Sequence, residues 1–245
     1  FSSGRSVAWL RGMVVLGSGL KMSDDDPCFL SATDLRRRIG RKEISPLDVT
    51  RAVLARAERL QPKLNCFITL CADEALAQAK SAERRIMSGD SIRILEGIPF
   101  TVKDIVNTKD VRTTFGAIPY RDNIPDHDAV AVARLRAAGA ILVGKTTTPE
   151  FGTKCLTDSP LFGSTRNAWS SERSSGGSSG GAAVAVANGI APAESAREAP
   201  LSVVLAGRYV VLAGIASVKR VAVAGVLPLL GLCEESRKLV PEPWP

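Results

Sequence analysis

Apolar residues recur with helical spacing through the first ninety residues of the 245-residue chain. Ser31 followed by Asp34, and Ser45-Pro46 followed by Asp48, each place a capping serine ahead of an acid in a first helical turn. A third helix is predicted over about residues 73 to 87. The second helix has one buried stripe, made of Val49, Val53, Leu54, Ala57 and Leu60.

After residue 97 the pattern changes to short apolar runs. Residues 98–102 are typical of a β-strand, and the strand ends in Lys103-Asp104, where a lysine is well placed to project into a site. Residues 128–138 have helical spacing that ends at Gly139, and residues 140–143 then form a predicted buried strand. A helix followed directly by a strand indicates an α/β protein.

A glycine-serine stretch at residues 174–181 runs straight into the small apolar residues 182–187, which form a helix or a strand. Four glycines around two serines suit a tight loop that presents hydroxyl and amide groups, and such a loop ahead of a helix suits an anion or an oxyanion. Composition alone favours a flexible linker. The apolar run argues against that alternative, because linkers rarely lack a polar break there.

Toward the end of the sequence, Val-Val-Leu-Ala-Gly occurs twice, at 203–207 and 210–214, and predicts two apolar strands or one buried hairpin. Residues 241–245 are proline-rich and are expected to be a tail. Met22, which three aspartates follow closely, resembles a natural start. Residues 1–21 are therefore expected to be an extension outside a single domain at 22–240.

Composition narrows the class of protein. The chain is 45% hydrophobic and 23% charged, as in ordinary soluble globular proteins, and residues 1–21 are too short and interrupted for a membrane span. The net charge of +7 is spread along the chain, and the basic run 36–42 is interpreted as a solvated helix face. With only 5% aromatic residues to stack bases, neither nucleic acid nor membrane is an expected partner.

The number and spacing of the cysteines and histidines indicate the redox state of the cellular compartment and whether a metal site is expected. The five cysteines are odd in number and show no C-x-x-C spacing, so neither a disulfide framework nor a zinc site is predicted. The absence of a predicted disulfide framework indicates a reducing compartment, and a cytoplasmic location is therefore predicted for the protein. The single histidine, His127, is interpreted as a loop residue ahead of a helix. No metal or cofactor is expected.

Residues 139–146 match the phosphate-binding pattern G-x-x-x-x-G-K-[ST] letter for letter. That mechanism needs a strand before the first glycine and a helix after the lysine, whereas here the predicted strand lies inside the motif. Thr146-Thr147-Thr148-Pro149 is also a poor helix start. A nucleotide-binding protein is therefore the least favoured hypothesis.

Five motifs in order resemble the amidase signature family, over about residues 31 to 192, and are also similar to the amidotransferase A subunits within it. The resemblance implies an α/β fold with a mixed sheet flanked by helices. Members of the family are usually roughly twice as long as this chain. The resemblance therefore further implies that the chain corresponds to the N-terminal half only and is a truncated or divergent member. The motifs are residues 97–104, 138–146, 149–152, 163–167 and 176–181.

The resemblance implies a Ser-cis-Ser-Lys triad, which accords with a chain that has one histidine. Lys103 matches the base, and Ser178 matches the relay serine that follows a cis peptide bond. A desolvated lysine loses its proton more readily and can take histidine's place as base. Without the resemblance, Lys103 would be read as a surface lysine. Gly176, Gly177 and Ser179 are expected to bind the substrate and orient its carbonyl.

The nucleophile motif is where the sequence departs from the family. The family's nucleophile follows the relay serine by some two dozen residues, and 24 residues after Ser178 stands Ser202. The family has Gly-Thr-Asp-x-Gly-Gly-Ser-Ile-Arg there, but residues 197–204 have neither glycine, and Val204 stands in place of the arginine. Pro200 has no N–H to give to an oxyanion hole, and one lost donor costs about 2.7–4 kcal/mol. Ser202 is thus a positional candidate.

Three functions follow from these motifs. The first is an amidase that hydrolyses a small-molecule carboxylic amide through an acyl-serine intermediate. The second is a catalytically inactive, truncated homologue. The third is the A subunit of a glutamine-dependent amidotransferase, with partner subunits. A homodimer is a further expected assembly.

Overall fold

The computed structural model describes residues 26–191 and, as backbone only, two strands at 193–196 and 202–205. The expected extension at 1–21, the tail at 241–245 and the second Val-Val-Leu-Ala-Gly copy at 210–214 lie outside the described residues. The domain limits of 22–240 therefore stay a prediction.

Residues 32–88 are mostly helical, as the hydrophobic pattern predicts. Ser31 Oγ accepts the Asp34 N–H at 3.0 Å, and Ser45 Oγ accepts the Leu47 N–H at 2.9 Å, so both predicted caps are confirmed. The third helix extends one residue beyond its predicted range at each end. These helices are α1 (Ala32–Gly40), α2 (Pro46–Leu64) and α3 (Ala72–Ser88).

Helix α4 (Val130–Ala137) begins two residues later than the pattern predicts. The two residues before it are held by another loop, because Asp128 Oδ1 accepts the Lys109 N–H at 2.7 Å and the Ala129 N–H bonds to Asn107 O at 2.9 Å. Gly139, with a φ of +92°, ends the helix as predicted. The glycine-serine stretch leads into helix α5 (Gly180–Ala187), which settles the choice between helix and strand.

A five-stranded mixed sheet forms the centre of the described structure. Its strands are β1 (Phe67–Leu70), β2 (Pro99–Lys103), β3 (Ile141–Thr146), β6 (Ala193–Ala196) and β7 (Ser202–Leu205). Their order across the sheet is β1-β3-β2-β6-β7. The two inner pairs, β3 with β2 and β2 with β6, are parallel, and the two outer pairs are antiparallel. This confirms the predicted α/β class. A separate ribbon pairs β4 (Asp158–Ser159) with β5 (Gly163–Ser164).

The core lies around β2 and β3, in which every residue is buried. Helix α2 packs against both strands, α3 packs against β3, and α5 packs against β2, β3 and β6. Gly144 in β3 lets β1 approach closely, because a Cβ there would collide with the Thr69 carbonyl oxygen. None of the helices in the described ranges combines the length and apolar character needed to cross a bilayer.

Candidate active site at the end of strand β2

The glycine-serine loop ahead of α5 is held by one buried threonine. Thr157 Oγ1 donates to Gly176 O at 2.7 Å and accepts the Gly180 N–H at 2.9 Å, so one hydroxyl spans both ends of the loop. A Cβ at Gly177 would lie 2.8 Å from the Leu156 carbonyl carbon, and one at Gly180 would collide with Thr157. Gly177 is therefore needed where the Leu156 backbone approaches the loop, and Gly180 where the Thr157 side chain does. The Gly177–Ser178 peptide bond is cis, as the resemblance implies.

Lys103 lies beneath this loop as the last residue of β2, with its side chain fully buried. Its Nζ lies 2.9 Å from Ser178 Oγ and 3.0 Å from Ser179 Oγ. Its carbonyl oxygen accepts the Val106 N–H at 3.0 Å, which closes a turn directly after the strand. The interpretation of Lys103 as a surface lysine is thus wrong, and the lysine meets the two serine hydroxyls 75 and 76 residues away in sequence.

Ser179, expected to bind substrate, has its hydroxyl on the Lys103 amine instead of on the α5 backbone, where it forms no side-chain cap. Gly176 and Gly177 lie in the same loop, directly ahead of Ser178. The distance to Lys103 Nζ therefore does not distinguish Ser178 from Ser179 as the relay.

The backbone of Ser202 lies at the same end of the sheet as Lys103. Val102, the residue before Lys103, is paired with Ser195 of β6. The next residue of β6, Ala196, is paired with Ser202 of β7. Ser202 therefore lies two strands away from Lys103 in about the same row, roughly 10 Å across the sheet. The side chain of Ser202 lies outside the described part of the chain.

A second buried lysine, Lys145 in β3, lies beside the turn that follows β2. Its Nζ donates to Val106 O at 2.5 Å, to Thr113 Oγ1 at 2.9 Å and to Thr108 Oγ1 at 3.0 Å. Asp104 Oδ1 lies 3.9 Å from the same Nζ, with both side chains fully buried. Lys145 is the lysine of the phosphate-binding pattern at 139–146, and it lies within a buried strand instead of ahead of a helix.

Asp104 has an unusual environment for a carboxylate. Its Oδ2 accepts both the N–H of Thr114, at 2.9 Å, and the hydroxyl of Thr114. Burial raises the pKa of the Asp104 carboxyl to about 6, although the Lys145 ammonium, the Thr114 bonds and the more distant Arg112 act in the opposite direction. The carboxyl therefore titrates near neutral pH in the folded protein.

This pKa predicts a pH dependence of stability. The folded state holds the Asp104 proton more tightly than the unfolded state, whose pKa is near 3.8, so the contribution of this group to stability falls as pH rises from about 4 to above 6. Between pH 4.5 and pH 7.5 the fall should be about 2 kcal/mol in free energy of unfolding. Urea unfolding of the wild type and Asp104→Asn at pH 4.5 and 7.5 measures it. The wild type should lose stability relative to the variant over that interval. Parallel stability curves would show that Asp104 keeps an ordinary pKa.

The single histidine, His127, and the possibility of a metal site are the remaining points about titratable residues. His127 is exposed on the segment ahead of α4, as predicted, and its Nδ1 lies 2.7 Å from Asp126 Oδ1. Among the residues that the structure describes, no group of three or more histidine, cysteine, aspartate or glutamate side chains could hold a metal ion. Two serine hydroxyls contact the Lys103 amine, an arrangement that suits acyl or proton transfer.

Sequence reasoning missed two parts of the site. Thr157 lies outside the glycine-serine stretch, and only its contacts with Gly176 and Gly180 indicate that it shapes the loop. The Asp104–Lys145 pair joins residues 41 positions apart, and no periodic pattern connects them. Lys145 lies two residues after the strand predicted at 140–143, and the observed strand β3 extends to Thr146 and includes it.

The sequence of this chain matches a family model and is similar to known proteins. The family model described as Amidase matches residues 48–228. The chain is 44% identical over 164 residues to the A subunit of the glutamyl-tRNA(Gln) amidotransferase of Roseiflexus sp. strain RS-1, covering 67% of this chain and 34% of that protein. It is 36% identical over 171 residues to an acylamidase of Rhodococcus erythropolis, covering 70% and 36%.

The fold also matches a solved structure. A bacterial aryl acylamidase, described as belonging to the amidase signature enzymes, superposes with a TM-score of 0.65 at 32% identity, covering 68% of this chain and 35% of that one. The chain thus spans about a third of the length of the relatives it matches.

Proposed function

Since this chain belongs to the amidase signature family, we propose that it hydrolyses a small-molecule carboxylic amide, with Lys103, Ser178 and Ser202 as its catalytic residues. The observation that carries the proposal is the buried Lys103 Nζ at 2.9 Å from Ser178 Oγ. Burial favours the neutral form of a lysine amine. A neutral amine at this distance can take a proton from the hydroxyl and return it, which is what a base and its relay need.

In the proposed reaction Ser202 Oγ attacks the amide carbonyl carbon. The Ser202 proton passes to Ser178 Oγ while the Ser178 proton passes to neutral Lys103. The tetrahedral intermediate then breaks its C–N bond, and the amine or ammonia leaves with the proton returned along the same path. Water attacks the resulting ester by the same relay, which releases a carboxylic acid and restores Ser202. Lysine acts as a base only when neutral, so the rate should rise with pH.

Amides of the Gly176–Gly181 loop are the proposed donors to the substrate carbonyl, except those of Gly176 and Gly180, which donate to Ser174 Oγ and Thr157 Oγ1. The loop leads directly into the N-terminus of α5, where backbone N–H groups have no partner within the helix. This arrangement compensates in part for Pro200, which cannot supply an N–H ahead of Ser202. Gly176 allows a substrate to approach the backbone closely because it carries no side chain, whereas at Gly177 the place of a side chain is occupied by the Leu156 backbone.

Release of amine or ammonia from a panel of simple primary and aryl amides tests the proposal. The wild type should release product, Ser202→Ala should abolish it, and Ser164→Ala, which alters an exposed serine of β5, should leave it unchanged. Equal rates for wild type and Ser202→Ala would overturn Ser202 as nucleophile. No release by the wild type on any amide would favour the catalytically inactive homologue.

A second candidate function is favoured by the relative from Roseiflexus, which is named as the A subunit of an amidotransferase. In that role the same residues would release ammonia from glutamine for use by partner subunits. Rates on glutamine and on simple amides separate the two. A preference for glutamine that appears only with partner subunits would support the amidotransferase role, and hydrolysis of simple amides by this chain alone would contradict it.

A further inference from the structure

We propose that Lys145 and Asp104 are positioning residues that hold the Lys103 amine against the serine hydroxyls, an inference that rests on the proposed function of Lys103. They act through the turn at residues 103–106 and the loop that follows it to residue 116.

The turn is tied to Lys145 by a short chain of bonds. The Lys103 carbonyl accepts the Val106 N–H at 3.0 Å, and the Val106 carbonyl in turn accepts from Lys145 Nζ at 2.5 Å. Lys103 is the last residue of β2, so the direction of its side chain depends on how the chain turns at this point. The Lys145 ammonium thus fixes the far end of the turn that begins at Lys103.

The loop beyond the turn is folded around the same ammonium. Thr108 Oγ1 and Thr113 Oγ1 both accept from Lys145 Nζ, at 3.0 and 2.9 Å, although they lie five residues apart along the loop. All three side chains are fully buried. A buried ammonium needs such oxygen partners, and the loop supplies them with its own carbonyl and hydroxyl groups.

Asp104 completes the arrangement from the other side. Its N–H bonds to Thr146 O at 3.0 Å and its carbonyl accepts the Phe115 N–H at 2.9 Å, so its backbone joins β3 to the end of the loop. Its carboxyl binds Thr114 and lies opposite the Lys145 ammonium. The residue next to the proposed base is therefore held through its backbone, its carboxyl and a buried countercharge.

The prediction concerns the accessibility of one amine. In the wild type the Lys103 side chain is fully buried and should react slowly with an acylating reagent. Lys145→Met removes the ammonium while keeping a long, unbranched side chain. Without it the turn at 103–106 should open locally, and acylation of Lys103 should become at least about tenfold faster.

The test is native-state acetylation with N-acetoxysuccinimide, followed by peptide mass spectrometry, with the exposed Lys80 as internal reference. Glu96→Gln is the matched control, because Glu96 is a fully buried carboxylate that pairs with Arg93 at 2.6 Å ahead of β2, outside the turn. Glu96→Gln should change the stability of the protein without changing the rate at which Lys103 is acetylated. If Lys145→Met does not fold, Thr108→Val with Thr113→Val keeps the ammonium and the side-chain shapes, and should raise the Lys103 rate about threefold or more.

The outcomes separate this inference from the proposed function. A tenfold rise specific to Lys145→Met supports positioning even if no amide is hydrolysed. An unchanged Lys103 rate, or a rise equal to that in Glu96→Gln at equal loss of stability, overturns it. Where amide hydrolysis is measurable, Lys145→Met should lower kcat at least tenfold with KM within about twofold, and a change confined to KM would contradict the inference.

Discussion

Replacing Lys103 by methionine should lower kcat/KM for amide hydrolysis by about 10² to 10⁴-fold, the usual contribution of a general base. Methionine is close to lysine in length and fills the same buried space without the amine. Burial of a polar amine costs free energy that a well-packed apolar side chain does not incur, and this offsets the hydrogen bonds lost to Ser178 and Ser179, so the variant should be about as stable as the wild type. Steady-state kinetics with thermal unfolding measure both quantities.

A loss of activity without loss of stability would identify Lys103 as a functional residue and not as a part of the core. The matched control is Lys154→Met, which removes an exposed lysine paired with Asp158 and should leave the rate unchanged. Activity that survives in Lys103→Met would exclude the lysine as base. A variant that loses stability together with activity would indicate a structural role for the amine.

Ser178→Ala should lower kcat by a similar factor, about 10² to 10⁴-fold, because it removes the proposed path of the proton between Lys103 and the nucleophile. Ser179→Ala is the control, since its hydroxyl lies almost as close to Lys103 Nζ, at 3.0 against 2.9 Å. Loss of one neutral hydrogen bond costs about 1 kcal/mol, so Ser179→Ala should be slower by only about fivefold. Rates on one amide substrate give the comparison.

The double variant adds a stricter criterion. Groups that act as one unit show effects that do not add, so Lys103→Met with Ser178→Ala should be about as slow as either single variant. Losses that multiply would mean that the two residues act independently. A larger loss in Ser179→Ala than in Ser178→Ala would assign the relay to Ser179.

Local signals in the sequence predicted much of the fold. Ser31 and Ser45 mark helix starts because their hydroxyls accept N–H groups two or three residues on, a contact that the sequence alone can specify. Gly139 ends α4 for an equally local reason, its positive φ. The start of α4 was wrong by two residues because Asp128 and Ala129 are held by residues 107–109, some twenty positions away.

The candidate site was predictable only where letters carry a motif. The roles of Lys103 and Ser178 were predicted from the motifs that contain them. Their contact joins residues 75 positions apart, and no periodic pattern of apolar residues predicts such a contact. The contact of Ser179 with Lys103 was not predicted, because the resemblance assigned the lysine contact to Ser178 and expected Ser179 to bind substrate. Strands β1 and β6 were missed for a different reason, since each has four residues and gains its structure from pairing with β3 or β2.

Lys145 shows how a motif can mislead when its structural setting is ignored. Its surrounding letters are those of a phosphate-binding loop, yet its amine is bound by the carbonyl of Val106 and two threonine hydroxyls inside the protein. The requirement for a strand before the motif and a helix after it was sufficient to argue against that function. What the sequence could not supply was the partner of the buried charge, Asp104.

The central claim is that Lys103 and Ser178 activate Ser202 for attack on an acyl group. Its most direct test is to treat the folded protein with a fluorophosphonate and locate the adduct by peptide mass spectrometry. The adduct should form on Ser202 in the wild type and be absent from Lys103→Met. A wild type that stays unlabelled, or a Ser202 adduct that forms equally fast without the Lys103 amine, would contradict the claim.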